Sequence, residues 1–331
     1  MARISISAVV RECGVSRATV DRVIHNRQGV HPRTKAQVEL AMARMAADLV
    51  PKPPLPPIDV ALRLDRGMMD EMFVAAKKFD DRKLAIHDLH QMDDLTVLGI
   101  VKSLCQDATR PLILTVKNTS QIVMELAKAR RRGKKVIALI SDLAAEARDA
   151  FVGIDNRAAG ETTAFLVGRM LGDRPTTVGF VLGDHAYRCH EDREIGFRSA
   201  LRTHFPKVVL AAEAIGQDNA TATCAEVRKM LRAHPGIGAI YCAAGGLAGL
   251  TKAIEEANRT RDIMVVVHEA NDITIPLLRN RQLDFLISQD PGALLAAAIR
   301  RADADSSEAG QSQELVDFYV HTVFNIPAYA R

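Results

Sequence analysis

The sequence predicts a small all-α helix-turn-helix domain followed by an α/β domain of two lobes, each built on a parallel sheet. Three observations carry this. Two short amphipathic stretches near the N-terminus are joined by Gly14-Val15-Ser16. A proline-rich run, Leu49 to Ile58, follows them. Beyond it, apolar strand-like runs alternate with amphipathic helical ones, and the alternation restarts midway.

Length and composition support a multidomain globular chain. At 331 residues the chain exceeds what one compact core usually serves. It contains no apolar run of the roughly 18 residues that a membrane span needs. The N-terminal MARISISAVVRECG is interrupted by Arg3, Arg11 and Glu12, so no secretory signal is read there and a cytoplasmic protein is expected. Cys13, Cys105, Cys189, Cys224 and Cys242 are scattered without metal-ligand spacing and read as small buried apolar residues.

Charge is uneven. Residues 1–49 hold eight bases and four acids, a net +4 that equals the whole chain's balance of 44 bases against 40 acids. The remainder is neutral, so the positive excess belongs to one small segment, as expected for a partner of the phosphate backbone.

Within that segment Ile4, Ile6, Val9 and Val10 share a helical face, and Gly14 supplies the turn. Ser16 is placed as the N-cap of a second helix. Val20, Val23 and Ile24 form its buried stripe, while Arg17, Ala18 and Arg22 face outward. After Gly29 a third helix starts at Pro32 and brings Val38, Leu40 and Met42 or Met45 back onto the pair. The second helix of such a motif lies in the DNA major groove.

The residues Gly14-Val-Ser-x-x-Thr-Val-x-Arg-Val23, preceded by Ala8 and followed by Gly29-Val-x-Pro-x-Thr34, resemble the DNA-binding signature of LacI/GalR-type repressors. The resemblance implies that Arg17 and Ala18 meet base edges, and that Ser16, Thr19, Arg22 and Thr34 position the module on phosphates. Two positions depart from the family. Asp21 replaces a serine and is expected to pair with Arg17 one turn earlier. His25 replaces an asparagine and reads either as a phosphate donor or as the helix end. The resemblance also implies a homodimer on a pseudo-palindromic double-stranded operator.

The family's usual hinge helix is not expected here, because prolines occupy positions 53, 54, 56 and 57. Minor-groove insertion, if it persists, falls to Leu49 or Leu55. The expected domains are 1–49, a linker at 50–57, and an effector domain at 58–331. Its first lobe takes about 58–154 plus 291–312, and its second about 155–290 plus a C-terminal strand.

In the effector domain the runs IDVALRL, KLAIHDL, RPLILTV and KVIALIS build a first sheet. FVGID, TVGFVLG, VVLAAEAI, IGAIYCA, MVVVHE and LDFLISQ build a second, with a last helix at 292–303 and a final strand near 315–325. This two-lobed plan resembles the periplasmic-binding-protein fold found in the same repressors. Open α/β sheets bind ligands beyond the carboxyl ends of their strands. Those ends carry Asp65, Lys117, Asn118, Asp142, Asp155, Asn156, His268, Glu269, Gln289 and Asp290.

Carboxylates, amides and guanidinium groups of this kind bracket adjacent hydroxyls. Within the resemblance, Arg193, Asp155, Glu269 and Gln289 map onto family ligand contacts. Asp65, Asp142 and Tyr187 complete the candidate effector site, with Tyr187 able to stack on a sugar ring. Bland alternatives stand beside these: Arg193 could pair with Asp192 or Glu194, Asp155 and Asn156 could cap the helix at 157, and His268 could be a core-edge histidine. Ala243 to Gly249 lacks hydrogen-bonding side chains where the family has acidic and amide ones. The expected effector is a sugar, polyol or sugar acid.

No Walker motif, nucleophile elbow or HExxH occurs, and the glycines at 245–249 miss the dinucleotide spacing, so no enzyme, cofactor or metal is expected. The competing reading is a solute-binding receptor without DNA regulation.

Overall fold

The computed structural model describes residues 5–49, 55–172, 174–304 and 313–327. The chain divides into two compact units, Met1–Leu55 and Pro56–Arg331.

The N-terminal unit is three helices. The first, α1 (Ile6–Cys13), begins where Ser5 accepts the Ala8 N–H, and ends at Gly14 with φ +65°. A side chain at that left-handed position would add strain that glycine avoids. Ser16 opens α2 (Arg17–Ile24) by accepting the Thr19 N–H, and α3 (Pro32–Leu49) starts on its proline. Val9, Cys13, Val20, Val23, Val38 and Ala41 form the core, with Met42 and Met45 packed against it. Leu40, expected in that core, is instead 54% exposed. At about 100° per residue it lies roughly opposite Val38, and Ala41 takes the inward position. Arg3, Ile4 and the linker from 50 to 54 lie outside the described residues.

The larger unit holds two six-stranded sheets. The first contains β1 (Ile58–Leu62), β2 (Leu84–Asp88), β3 (Leu112–Thr115), β4 (Val136–Leu139), β5 (Ala150–Gly153) and β11 (Gln313–Leu315), in the order β11-β5-β4-β3-β1-β2. Every pairing in it is parallel. The second contains β6 (Thr176–Leu182), β7 (Val208–Ile215), β8 (Ile237–Cys242), β9 (Met264–His268), β10 (Phe285–Gln289) and β12 (Phe318–His321), in the order β12-β10-β9-β8-β6-β7. Only β12 runs antiparallel.

Helices cover both faces of each sheet. Val60 and Leu62 face α4 (Arg66–Ala76) and α12 (Pro291–Asp303), while Ala61 faces α5 (Asp94–Leu104) and α6 (Ser120–Arg131). In the second lobe α7 (Asn156–Leu171) and α8 (Arg188–His204) cover one face. The other is covered by α9 (Ala220–Ala233), α10 (Leu247–Glu256) and α11 (Thr274–Arg279).

Near-continuous burial along β1, β3, β4 and β5 is the pattern of strands covered on both sides. All five cysteines are buried and free. Among the described residues no helix is long and apolar enough to cross a membrane.

Two strand assignments need correction. FVGID is expected to open the second sheet, yet β5 pairs with β4 and belongs to the first. The final strand, expected as one element, is two: β11 pairs with β5 in the first sheet and β12 with β10 in the second. The Val316 N–H still donates to Gly153, and the chain changes lobe at Asp317. Period-two patterning runs through such a crossing unbroken, so the change of sheet leaves no mark in the sequence. The helix α11 was not expected.

Candidate functional site

On α2 the buried residues are Val20 and Val23. Ser16, Arg17, Ala18, Arg22 and His25 are exposed, and Thr19 and Thr34 are half-buried. Ser16 is fixed by its cap and by a 2.9 Å contact of its hydroxyl with that of Thr19. Asp21 does not pair with Arg17. It lies 3.4 Å from His25 Nε2 and accepts from Arg27 at 3.3 Å. His25 is the residue at which α2 stops. The outward face of α2 thus presents Arg17, Ala18 and Arg22, while the Asp21 carboxylate is directed toward the helix's C-terminal end.

In the larger unit the strand order places a switch point beside β1 in the first lobe and beside β6 in the second. A cavity lies there between the lobes, lined by the last residues of β3 and β9 and by residues that follow β1, β4, β6, β7, β8 and β9. Asp65, Tyr187, Arg193 and Glu269, all expected in the site, line it.

Arg193 sits on α8 at only 3% exposure. Its Nε donates to Asn156 Oδ1 and its Nη1 to the Ala243 carbonyl, both at 2.8 Å, and Nη2 lies 3.6 Å from Glu269. The bland pairings go elsewhere: Glu194 accepts from Arg198, and Asp192 approaches Arg157. The position of Arg193 follows from glycines. A Cβ on Gly160 of α7 would fall 2.1 Å from the Arg193 carbonyl, and one on Gly196 of α8 would fall 2.1 Å from that of Arg157. The two helices therefore meet backbone to backbone, and larger residues would force them apart.

Glu269 follows β9 with φ +67°, and Ile140, which follows β4 and also lines the cavity, has φ +66°. Both are non-glycine residues in left-handed backbone, a strain that concentrates at ligand sites. Burial pushes the Glu269 carboxyl up to about 7, although Arg193 and a hydrogen bond from Gln289 oppose the shift. Gln289 stands behind the cavity, donating to Glu269 Oε1 at 2.8 Å.

Three expected residues do not line the cavity: Gln289, which supports Glu269 from behind, and Asp142 and Asp155, which are engaged elsewhere. Asp142 is held in an ion pair with Arg148. Ile140 and Ser141 occupy the strand end ahead of it, and Ser141 accepts the Cys189 N–H across the cleft. Asp155 is exposed and accepts the Ala158 N–H as the cap of α7. The buried neighbour Asn156 is the one that reaches Arg193.

Four residues were missed or misread. His268, read as a core-edge histidine, lines the cavity at 3% exposure. Its Nε2 meets the Tyr241 hydroxyl at 2.6 Å, and its buried Nδ1 has no hydrogen-bond partner. Burial holds it neutral, and it does the same for His190. Asp218, in the turn after β7, accepts the Gly245 N–H at 2.8 Å, which is how the side-chain-poor Ala243–Gly249 segment gains a polar edge. Asn271 is fixed by accepting the Ile273 and Thr274 N–H groups. Asp218 and Asn271 both occupy turns after strand ends, the signal that located Asp65 and Glu269.

The lobes touch around the cavity. Lys117 lies 2.7 Å from Asp184, Asn118 N–H donates to the Ala186 carbonyl at 2.8 Å, and Tyr187 Oη donates to the Arg63 carbonyl at 3.5 Å. The two lobes are thus bridged around a cavity whose lining mixes apolar and charged side chains.

A family model described as "Bacterial regulatory proteins, lacI family" matches residues 5–46. One described as "Periplasmic binding protein domain" matches residues 90–305, more than half of the chain. A comparison with curated protein sequences finds no match. Among solved structures, the chain resembles a solute-binding protein of an ABC transporter from Burkholderia graminis in complex with D-arabinose. The TM-score is 0.74 at 18% identity, covering 85% of this chain and 100% of that one. A periplasmic solute-binding protein from Actinobacillus succinogenes with bound D-allose gives 0.70 at 20%, covering 82% and 98%. A glucose-galactose binding protein from Geobacillus stearothermophilus gives 0.70 at 17%, covering 82% and 99%. Those likenesses concern the fold of the larger unit. With the basic helix-turn-helix joined to that unit, the chain belongs to the lacI family of bacterial regulatory proteins and is a DNA-binding transcription regulator with a periplasmic-binding-protein domain.

Proposed function

We propose that this regulator is a homodimeric repressor whose DNA affinity is set by a small polyhydroxylated effector, a sugar or polyol, held between the two lobes. The observation that carries the reading is Arg193. A guanidinium is buried in a cleft, anchored by an amide and a carbonyl, and set 3.6 Å from the carboxylate of Glu269, which follows β9. Such a fork beside a carboxylate supplies paired donors and acceptors at the spacing of vicinal hydroxyls. The sugars named with the similar solved structures agree with this chemistry.

At the other unit, Arg17 and Ala18 read base edges, and Ser16, Thr19, Arg22 and Thr34 hold phosphates. His25, capping α2 beside Asp21, serves the helix end. The effector binds the closed lobes better than the open ones and so shifts their population. In a dimer that shift changes the spacing of two recognition helices that must fit half-sites one helical turn apart.

Isothermal titration with pentoses, hexoses and polyols tests the effector half of the reading. Binding by wild type and its loss in Arg193→Ala are expected. Equal affinity in the two proteins would place the effector elsewhere.

A further inference from the structure

We infer that the effector is aminated: a sugar or polyol whose ammonium group seats between Asp65 and Asp218 while its hydroxyls engage Arg193, His268 and Glu269. The inference rests on the cleft being a polyhydroxyl site and goes on to name the ligand's charge.

Asp65 comes from the first lobe and Asp218 from the second. Each carboxylate is fixed by backbone donors alone, Asp65 by Gly67 and Met68 and Asp218 by Gly245. Neither forms an ion pair among the described residues. Both residues line the same cavity, and their side chains converge beside Gly245, where an added Cβ would stand 3.1 Å from the Asp65 Cβ and 3.2 Å from Asp218 Oδ1. Burial raises the Asp65 pKa from its ordinary value and the charge of Asp218 adds to the shift, against the opposing effect of the Gly67 and Met68 N–H donors and of His90.

The cations nearby are committed. Arg63 is held by Asp94 and the Met92 carbonyl, Lys117 by Asp184 and Asp94, and Arg193 by Asn156, Ala243 and Glu269. His190 and His268 are kept neutral by burial. The cleft therefore holds two carboxylates with no ion-pair partner among the described residues, His90 acting on Asp65 without a salt bridge to it, and like charges in a partly desolvated site disfavour that arrangement. A ligand ammonium between them supplies the missing charge and up to three donors. A sugar acid would bring a further carboxylate to the same place.

The second observation is independent of these acids. His268 Nδ1 is a buried polar atom of the same cavity with no partner in the protein. Such an atom is costly unless a ligand pairs with it. The side chain lines the cavity near Arg193, whose charge acts on it, and a ligand hydroxyl that reached this nitrogen would supply the missing partner. The donor set does not suit a bare metal ion, since no group of three or more ligating side chains gathers among the described residues.

The test is isothermal titration of the full-length protein at neutral pH with glucose, galactose and mannose. Each is compared with its 2-amino-2-deoxy and 6-amino-6-deoxy forms, the N-acetylated amine and the uronic acid. In at least one series an amine is expected to bind about tenfold or more tighter than its parent. Asp218→Asn, which keeps the acceptor for Gly245, should erase that preference, and Asp65→Asn is the second variant if the first fails to fold. Parent sugars, uronates or N-acetylated amines that bind as tightly as the free amines would overturn the charge assignment alone. Absence of binding across all series would overturn the polyhydroxyl reading, and this inference with it.

Discussion

Arg193 Nε donates to Asn156 Oδ1 at 2.8 Å, so a buried amide, and not the exposed carboxylate of Asp155 beside it, holds the arginine of the cleft. The two neighbours divide the work. Asp155 starts α7, and Asn156 links α7 to α8 across the interior.

Asn156→Ala leaves the guanidinium short of one charge-assisted bond, worth about 1.5–3 kcal/mol. Effector affinity should fall roughly tenfold to a hundredfold by titration calorimetry. Asp155→Ala should instead cost about 1 kcal/mol of unfolding free energy through its lost cap, with effector affinity unchanged within about twofold. A reversal of these two outcomes would restore Asp155 as the binding residue.

Gly196→Ala inserts a methyl where α7 and α8 meet, 2.1 Å from the Arg157 carbonyl. Overpacking of this kind costs about 1–3 kcal/mol and displaces Arg193 with its helix. Chemical denaturation should show the loss, and effector affinity should drop with it. Stability lost with affinity intact would mean that the helix pair does not position the arginine.

The Glu269 carboxyl, pushed by burial from 4.5 up to about 7, makes the larger unit's stability depend on pH. A raised carboxyl pKa means that the folded protein holds a proton the unfolded chain releases. Its contribution is complete below about 4.5 and is lost as pH rises through 7, by up to about 3 kcal/mol. Asp65 shifts in the same direction. Glu269→Gln should therefore flatten, without abolishing, the fall in thermal midpoint between pH 5 and pH 8. An unchanged slope would show that Glu269 is ionised throughout that window.

In the N-terminal unit, Asp21→Ala removes the partner of His25 and Arg27 and one negative charge from the DNA-binding module. These ion pairs are partly exposed, so stability should change by less than about 1 kcal/mol. Affinity for nonspecific DNA should rise, with a salt dependence steeper by about one counterion. Weaker binding would mean that Asp21 orients a phosphate contact instead of opposing one.

Much of the fold was legible because its signals are local. Ser16 and Gly14 mark helix ends by hydrogen-bonding and backbone chemistry that any sequence displays, and the doubly covered strands announce themselves as apolar runs. The crossing at Val316 and Asp317 was not legible, since a strand pattern carries no record of which sheet it joins. In the site, Asp65 and Glu269 were found at strand ends, whereas Arg193, inside α8, was found through the family resemblance and Tyr187 in the loop before it. Asp142 and Asp155 satisfied the same rule but were claimed by Arg148 and by a helix cap, competitors that only the folded chain reveals. Asp218 was passed over because its strand, β7, ends three residues earlier, at Ile215. The polar role of His268 depends on an orphaned nitrogen that no sequence shows.

The central claim is that occupation of the cleft governs binding to DNA. Its most direct measurement is fluorescence anisotropy of labelled operator titrated with wild type, Arg193→Ala and Arg17→Ala, each with and without the effector identified by calorimetry. Wild type should bind and change affinity on effector addition, Arg193→Ala should bind equally well but give no response, and Arg17→Ala should lose specific binding. An Arg193→Ala protein that still responds fully, or an Arg17→Ala protein that binds operator undiminished, would contradict the account.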